Sequence, residues 1–395
     1  MDKNRFTTVD KAVLTDTEPV RESLTYWQDA WRRLRKHKPA IGGLVGVILI
    51  VLFGFVGPWF TQVSYSDQTI DYANLPPRLT LHQMDEDFFV YLTRDYKLLE
   101  VSRRGNLIGR LERTDADQVN KVYTYSDGSR EVILDFSYNL LPGKMDSEYD
   151  FSLTYQGEEI FEPYRTVGNK TYLFGTDNVG RDMLVRVMYG ARISLTVAFV
   201  ASLVNLLIGV LYGSIAAYEG GSVDNVMMRI VDLINSIPLI LYIILIRVVL
   251  DSTGVGTMIL ALASVYWVVM ARLVRGQVLS LKEQEFVLAA QALGVPRSQI
   301  IVKHLIPNAI GPIIVSMTMM IPSAVFTEAF ISFIGLGVSA PQASWGTLAN
   351  DALQNLLSYP YQLFYPALAI ALTMLSFNML GDGLRDALDP RLRKG

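Results

Sequence analysis

The sequence predicts an all-α polytopic membrane protein of six transmembrane helices, with a mostly-β extracytoplasmic domain inserted between the first and second. Three observations predict it. Hydrophobic residues fill 51% of the 395 positions and charged residues only 18%, against about 25% charged in an ordinary soluble domain. The apolar excess is gathered into charge-poor runs of ~20 residues, the length a helix needs to cross ~30 Å of hydrocarbon. Between Asp67 and Asn169 the composition reverts to that of a soluble domain.

Several chemistries are excluded early. There is no cysteine, so disulfides, thiolate metal sites and a cysteine nucleophile are ruled out. His37, His82 and His304 are the only histidines and lie far apart, which argues against a histidine metal centre. No phosphate loop, nucleophile elbow, His-Glu-x-x-His or dinucleotide fingerprint occurs. No catalytic residue, bound metal or nucleic-acid partner is expected.

Residues 1–40 carry nine Lys and Arg and form a basic segment expected in the cytoplasm. Trp27 and Trp31, four apart, suggest an amphipathic interfacial helix running into Arg32-Arg33-Leu34-Arg35-Lys36-His37-Lys38, which meets anionic lipid. The first span, 41–60, lies in the charge-free run Pro39–Ser66. It starts too deep for a cleaved signal and is expected to be an anchor.

Residues 61–171 are assigned to the inserted β-rich domain. Phe88–Leu92 and Glu131–Phe136 read as strands, and Asp127-Gly128, Leu141-Pro142-Gly143 and Gln156-Gly157 as turns. Phe88, Tyr91, Tyr123, Tyr125, Phe136, Tyr149, Phe151 and Tyr155 form either its core or a docking face.

Residues 172–395 hold the other five spans. They fall in Ile193–Tyr218, Ile230–Leu250, Ser252–Ala271, Asn308–Ile334 and Ala352–Gly381. Asp232, Arg247 and Glu328 are the charges inside them, each near a span end. Such groups are either functional or interhelical hydrogen-bonding residues. Gly42/Gly46 and Gly209/Gly213 suggest close helix contacts. Lys and Arg crowd the N-terminal flank, the linker Arg272–His304 and the tail, whereas Gly335–Pro360 has none. The short loops therefore place both termini in the cytoplasm. Residues 61–192, with 15 basic and 21 acidic residues, fall outside.

The long inner linker, 276–307, is polar and helical in pattern. Glu283–Leu293 favours a helix that includes Glu285, and Gly294 can cap it. Val295 leads to Pro296, which with Ser298 starts a second helix ending before Pro307. Two short helices make a knob whose exposed Leu288, Ala289 and Leu293 suggest a groove on a partner protein.

This linker resembles the coupling loop of the membrane subunits of ATP-binding cassette importers, in which Glu-Ala-Ala, a glycine and a Leu-Pro recur at fixed spacing. Ala289-Ala290, Gly294 and Pro307 are in register, while Leu288 replaces the glutamate and His304 and Ile306 take the apolar positions, a variant similar to the oligopeptide and dipeptide permease branch. The run Gly175-Thr176-Asp177-Asn178-Val179-Gly180-Arg181-Asp182, followed by Arg192, resembles the signature before the second span of the "C"-type subunit. Asp232 with Pro238, Phe333–Val338 with Trp345, and Phe377–Arg391, which includes Asn378, Asp382 and Arg385, match as well. Glu328 is counted with these structural motif residues.

The resemblance implies a type I ABC importer fold in the bacterial inner membrane. It also implies a second homologous permease subunit, two ATP-binding cassette ATPases that use ATP and Mg, and an extracytoplasmic binding protein delivering peptide. The chain itself would bind no cofactor. The β segment looks like an insertion into a usually shorter loop. An importer of another solute such as nickel or oligosaccharide, a membrane-anchored receptor or scaffold, and an ATP-independent carrier are the alternatives.

Overall fold

In the computed structural model, which describes residues 25–138, 140 and 149–389, helices are built from the apolar runs and a β domain sits between the first two long ones. The segment before Thr25, the turn Leu141-Pro142-Gly143 and the tail from Pro390, with Arg391, Arg393 and Lys394, lie outside the described residues.

Helix α1 (Tyr26–Lys36) is amphipathic, with Ala30 and Leu34 buried and Trp27 and Trp31 exposed. His37 then breaks the chain and caps α2 (Lys38–Phe55) by accepting from the Ala40 amide at 3.2 Å. Pro39 costs nothing in the first turn of α2, where amides have no helical partner. α2 ends five residues before the expected limit, and Gly57–Phe60 form a separate 3₁₀ turn.

The β domain contains two five-stranded antiparallel sheets. The first combines β1 (Arg78–Gln83), β2 (Phe89–Leu92), β3 (Leu98–Val101), β4 (Leu107–Arg110) and the late strand β10 (Arg165–Gly168), in the order β10-β1-β2-β3-β4. The second is a meander of β5 (Glu112–Asp117), β6 (Val122–Ser126), β7 (Glu131–Asp135), β8 (Ser152–Tyr155) and β9 (Glu158–Ile160). Alternation explains why β2 and β3 are apolar at successive positions. Val90 and Leu98 join Phe88, Tyr125, Phe136 and Tyr155 in one core, while Phe89 and Leu99 join Leu75, Leu79 and Leu81 in another on the opposite face. The aromatic residues are therefore mostly core, which decides the alternative left open by the sequence. Asp127 accepts from the Ser129 and Arg130 amides in the β6–β7 turn, and Gln156-Gly157, both at positive φ, close the β8–β9 hairpin. β5, exposed at five of its six positions and charge-bearing, resists pairing with another edge.

Helix α3 (Met183–Glu219) begins ten residues before its expected apolar run and would extend about 55 Å. Asp182 caps it, accepting from the Leu184 and Val185 amides. The expected third span is broken: α4 (Gly221–Ser236) and α5 (Leu239–Leu250) meet at 85° across Ile237-Pro238. Pro238 lacks the amide that would continue the ladder. α6 (Val255–Leu281) runs ten residues past its expected end. Five helical segments are long and apolar enough to cross a membrane, or six with the bent pair taken as one, among the described residues.

The linker differs from expectation in one respect. α7 (Glu285–Ala292) is a short helix as expected, but the segment after Pro296 does not stop before Pro307. α8 (Arg297–Gln299) passes through a π-helical stretch at Ile300–Leu305 directly into α9 (Ile306–Ile331). Pro307 sits in the first turn of α9, and the ladder widens just before a residue that has no N–H to donate. After a π turn at Ser332–Leu336 come α10 (Trp345–Leu353) and α11 (Tyr361–Leu388), the latter ending seven residues beyond the expected span.

Close packing is set by small residues. A Cβ on Gly43 would lie 2.5 Å from the Ser376 carbonyl oxygen of α11, whereas one on Gly42 would make ordinary contact, so Gly43 and Gly46 rather than Gly42 and Gly46 form the contact stripe. On α3, Gly209 and Gly213 admit Met270 and Ala271 of α6, as expected.

Candidate functional site

Two regions collect the residues singled out by sequence, at opposite ends of the bundle. The first is the knob. Gly294 takes φ +75°, a left-handed conformation that costs other L-residues about 1–2 kcal/mol, and lets the chain reverse after α7. The Val295 amide returns to the Ala290 carbonyl at 3.1 Å. Helical spacing then sorts the side chains. Val287 and Ala290, three apart, face inward with the half-buried Val295 against Val274, Val278, Ile300 and Leu305. Glu285, Leu288, Ala289, Leu293 and Pro296 face outward, with Leu288 52% and Leu293 83% exposed. Of the residues singled out for coupling, Ala290 and Val295 pack within the knob and the others named face outward.

Polar contacts fasten the knob region to the junction of α3 and α4. Arg297 pairs with Glu219 at 2.8 Å, and the Lys282 ammonium donates to the Ala217 carbonyl at 3.1 Å. Arg275 makes two bonds of 2.6 Å to Asp224. Arg272 pairs with Asp232 at 2.9 Å, so Asp232 is an exposed interhelical partner. These contacts join positions 40 to 78 residues apart, and no local pattern announces them.

At the other end the signature before α3 folds into a tight structure. Gly175 and Gly180 have φ of +76° and +78°, and a Cβ on Gly180 would collide with the Thr69 carbonyl. Asp177 accepts from the Arg181 Nε and the Arg186 Nη1, both at 2.6 Å, with all three side chains at most 10% exposed. Arg186 is a site residue that the sequence reading missed; its only signal is a cation four residues inside an apolar helix. Arg192 donates to the Gly54 and Phe55 carbonyls at the end of α2, supplying partners that a C-terminal turn lacks.

Glu328 is fully buried and accepts from the Ser194 and Ser332 hydroxyls, each at 2.7 Å. Trp345, also fully buried, donates its indole N–H to the Val187 carbonyl at 3.0 Å. These two residues lock α9 and α10 onto α3. Asn378, Asp382 and Arg385 instead lie exposed along α11, and Pro238 is exposed at the α4–α5 break. The longer helices also hold more charges than the three expected, including Arg186, Asp224 and Arg275.

The β domain joins the membrane helices at this same end. The Leu75 amide donates to Thr176 Oγ1 at 2.8 Å, and the hydroxyl of Tyr361 and amide of Gln362, at the start of α11, reach the Thr176 carbonyl. The Asn169 amide bonds the Pro77 carbonyl at 2.9 Å, so the domain leaves and re-enters at one point.

Residues 209–394 match the family of binding-protein-dependent transport system inner membrane components, and residues 25–77 match the N-terminal TM domain of oligopeptide transport permease C. The oligopeptide transport system permease protein OppC of Bacillus subtilis (strain 168) is 38% identical over 380 residues, 96% of this chain and 94% of its own. This chain belongs to that permease family.

The dipeptide transport system permease protein DppC of the same organism is 38% identical over 375 residues, 95% of this chain and 88% of its own. OppC of Escherichia coli (strain K12) is 46% identical, but over 222 residues, 56% of this chain and 73% of its own. A solved inward-facing MetNI methionine ABC transporter superposes on 52% of this chain and 98% of its own with TM-score 0.42 and 20% identity, a likeness too slight to build on.

Proposed function

We propose that this chain is the C-type permease subunit of an ATP-driven, binding-protein-dependent importer of oligopeptides or dipeptides. The observation that carries this is its identity to the oligopeptide and dipeptide permeases along nearly its whole length. It forms half of the pathway beside a second, homologous permease in a bacterial inner membrane. Two ATPase subunits bind beneath, and a binding protein delivers peptide from the far side. ATP and Mg act in the ATPases. The N- and C-termini lie in the cytoplasm with the knob, and the β domain lies outside.

The knob is the coupling element on this reading. Leu288, Ala289 and Leu293 enter an ATPase groove, with Glu285 and Pro296 at its rim. The inward face formed by Val287 and Ala290, with the Arg297–Glu219 pair, turns α7 into a rigid attachment on α3 and α6. Closure of the ATPases then tilts packed helices instead of merely bending a loop.

The test is uptake of labelled peptide into proteoliposomes holding the complete complex, with ATPase activity followed in parallel. Leu293→Glu leaves the knob's own packing intact and should lower uptake at least tenfold while the complex still assembles. Normal uptake with normal coupling of ATP hydrolysis to transport would reject the assignment. Absence of ATP-dependent uptake of any peptide by the unaltered complex would reject the substrate class.

A further inference from the structure

A polar cavity of about 160 Å³ lies at the end of the bundle opposite the knob, between the signature before α3, the end of α5 and the loop that follows the π turn after α9. Arg181, Arg186, Arg247, Gln342, Asn350 and Asp351 line it. Three guanidinium groups thus meet in one space. The Asp177 carboxylate is committed to Arg181 and Arg186. Asp351 is half exposed and approaches Arg186 only to 3.5 Å. Among the described residues no carboxylate pairs with Arg247, and its buried Nη1 has no hydrogen-bond partner. The Arg186 Nε, on a side chain 3% exposed, is also unpartnered.

Two buried cationic donors without acceptors are costly, and an anion in the cavity would relieve a guanidinium that turns toward it. The surroundings leave room for one. Gly335 lines the cavity at φ +87°, and a Cβ there would meet no atom within 4 Å. The Ser339 hydroxyl bonds Thr253 at 2.6 Å and ties the loop to the α5–α6 turn, so the wall is held in place. The volume suits a few waters or one small anionic group, not a whole peptide. Guanidinium groups match a planar carboxylate in charge and geometry.

We propose that Arg247, with Arg186, forms a carboxylate-binding site that receives the C-terminal carboxylate of a transported peptide. The peptide as ligand rests on the function proposed above; the anion site does not. A peptide carries that group whatever its sequence, so the site would hold varied peptides without reading side chains.

The test uses the complete complex in nanodiscs and proteoliposomes. N-acetylglycine should raise the thermal midpoint of the unaltered complex, N-acetylglycinamide should not, and Arg247→Gln should abolish the difference. In uptake at saturating binding protein, Arg247→Gln should raise the KM for a free-acid tripeptide about tenfold and leave its C-terminal amide unchanged. Arg247→Lys, which keeps the charge, should restore part of the preference. Equal response to acid and amide probes, or no effect of Arg247→Gln on that response, overturns the site. Equal loss for both tripeptides overturns the peptide as the source and points to an acidic side chain of the binding protein. A positive acid response in a complex that imports no peptide supports the site and rejects the peptide reading.

Discussion

Asp177 shows how one side chain can be both a sequence motif and a structural requirement. It holds two guanidinium groups where little water reaches them, so removing its charge takes away the carboxylate they share and leaves Arg186 only the more exposed Asp351 at 3.5 Å. Asp177→Asn should cost about 3–5 kcal/mol, seen as a lower thermal midpoint of the purified subunit. His82 makes a different prediction. It is buried in the β domain beside the Phe151 ring at 5.3 Å, and burial lowers its pKa from the usual 6.5. The folded domain keeps the ring neutral, whereas the unfolded chain takes up a proton as pH falls through about 6.5. Its penalty is therefore absent well above that pH and grows below it. Protection of the β-domain amides in hydrogen exchange should weaken between pH 7 and pH 5.5, and His82→Leu should flatten that dependence. Asp177 was legible as a motif residue, but its partner Arg186 was not, because nothing in an apolar run says that its cation folds back onto a carboxylate nine residues earlier.

At the scale of elements, the apolar runs located the helices and misjudged their ends. A run stops at the first charge, but a helix continues while its backbone bonds and caps allow, so α3 starts at the Asp182 cap and α6 passes Arg272 and Arg275. The same reason explains the knob. Gly294 was readable as a reversal because a left-handed residue is a local requirement, while the passage of α8 into α9 depends on packing against α3 and α6. Gly213 tests the element contact. A Cβ there would stand 2.3 Å from the Ala271 carbonyl oxygen, so Gly213→Leu should separate α3 from α6 and reduce the yield of folded subunit, measured by size-exclusion chromatography in detergent. Gly294→Ala meets no atom and should cost only the backbone strain, about 1–2 kcal/mol, with uptake retained.

For the whole molecule, the β domain is attached like a side branch, its two ends joined by the Asn169–Pro77 bond. A cut at Asp85 would leave β1 without its partner β2, whereas replacing residues 78–168 by a short glycine-serine bridge removes the first sheet complete. The helical core should then still insert, and if the domain docks the binding protein, uptake should fall while detergent-extracted complex remains assembled. Unaltered docking and uptake would remove that role from the domain. The sequence by itself determined which stretches are apolar enough for lipid, where glycine or proline must turn the chain, that a soluble β segment interrupts the helices, and which family the motifs resemble. These are properties of composition and local conformation. Tertiary structure alone decided which face of α7 is free, that the third span breaks at 85°, and that Arg186 and Arg247 share one cavity. The reason is physical: burial and charge pairing depend on residues tens to hundreds of positions apart, and their energies exist only once the chain has brought them together.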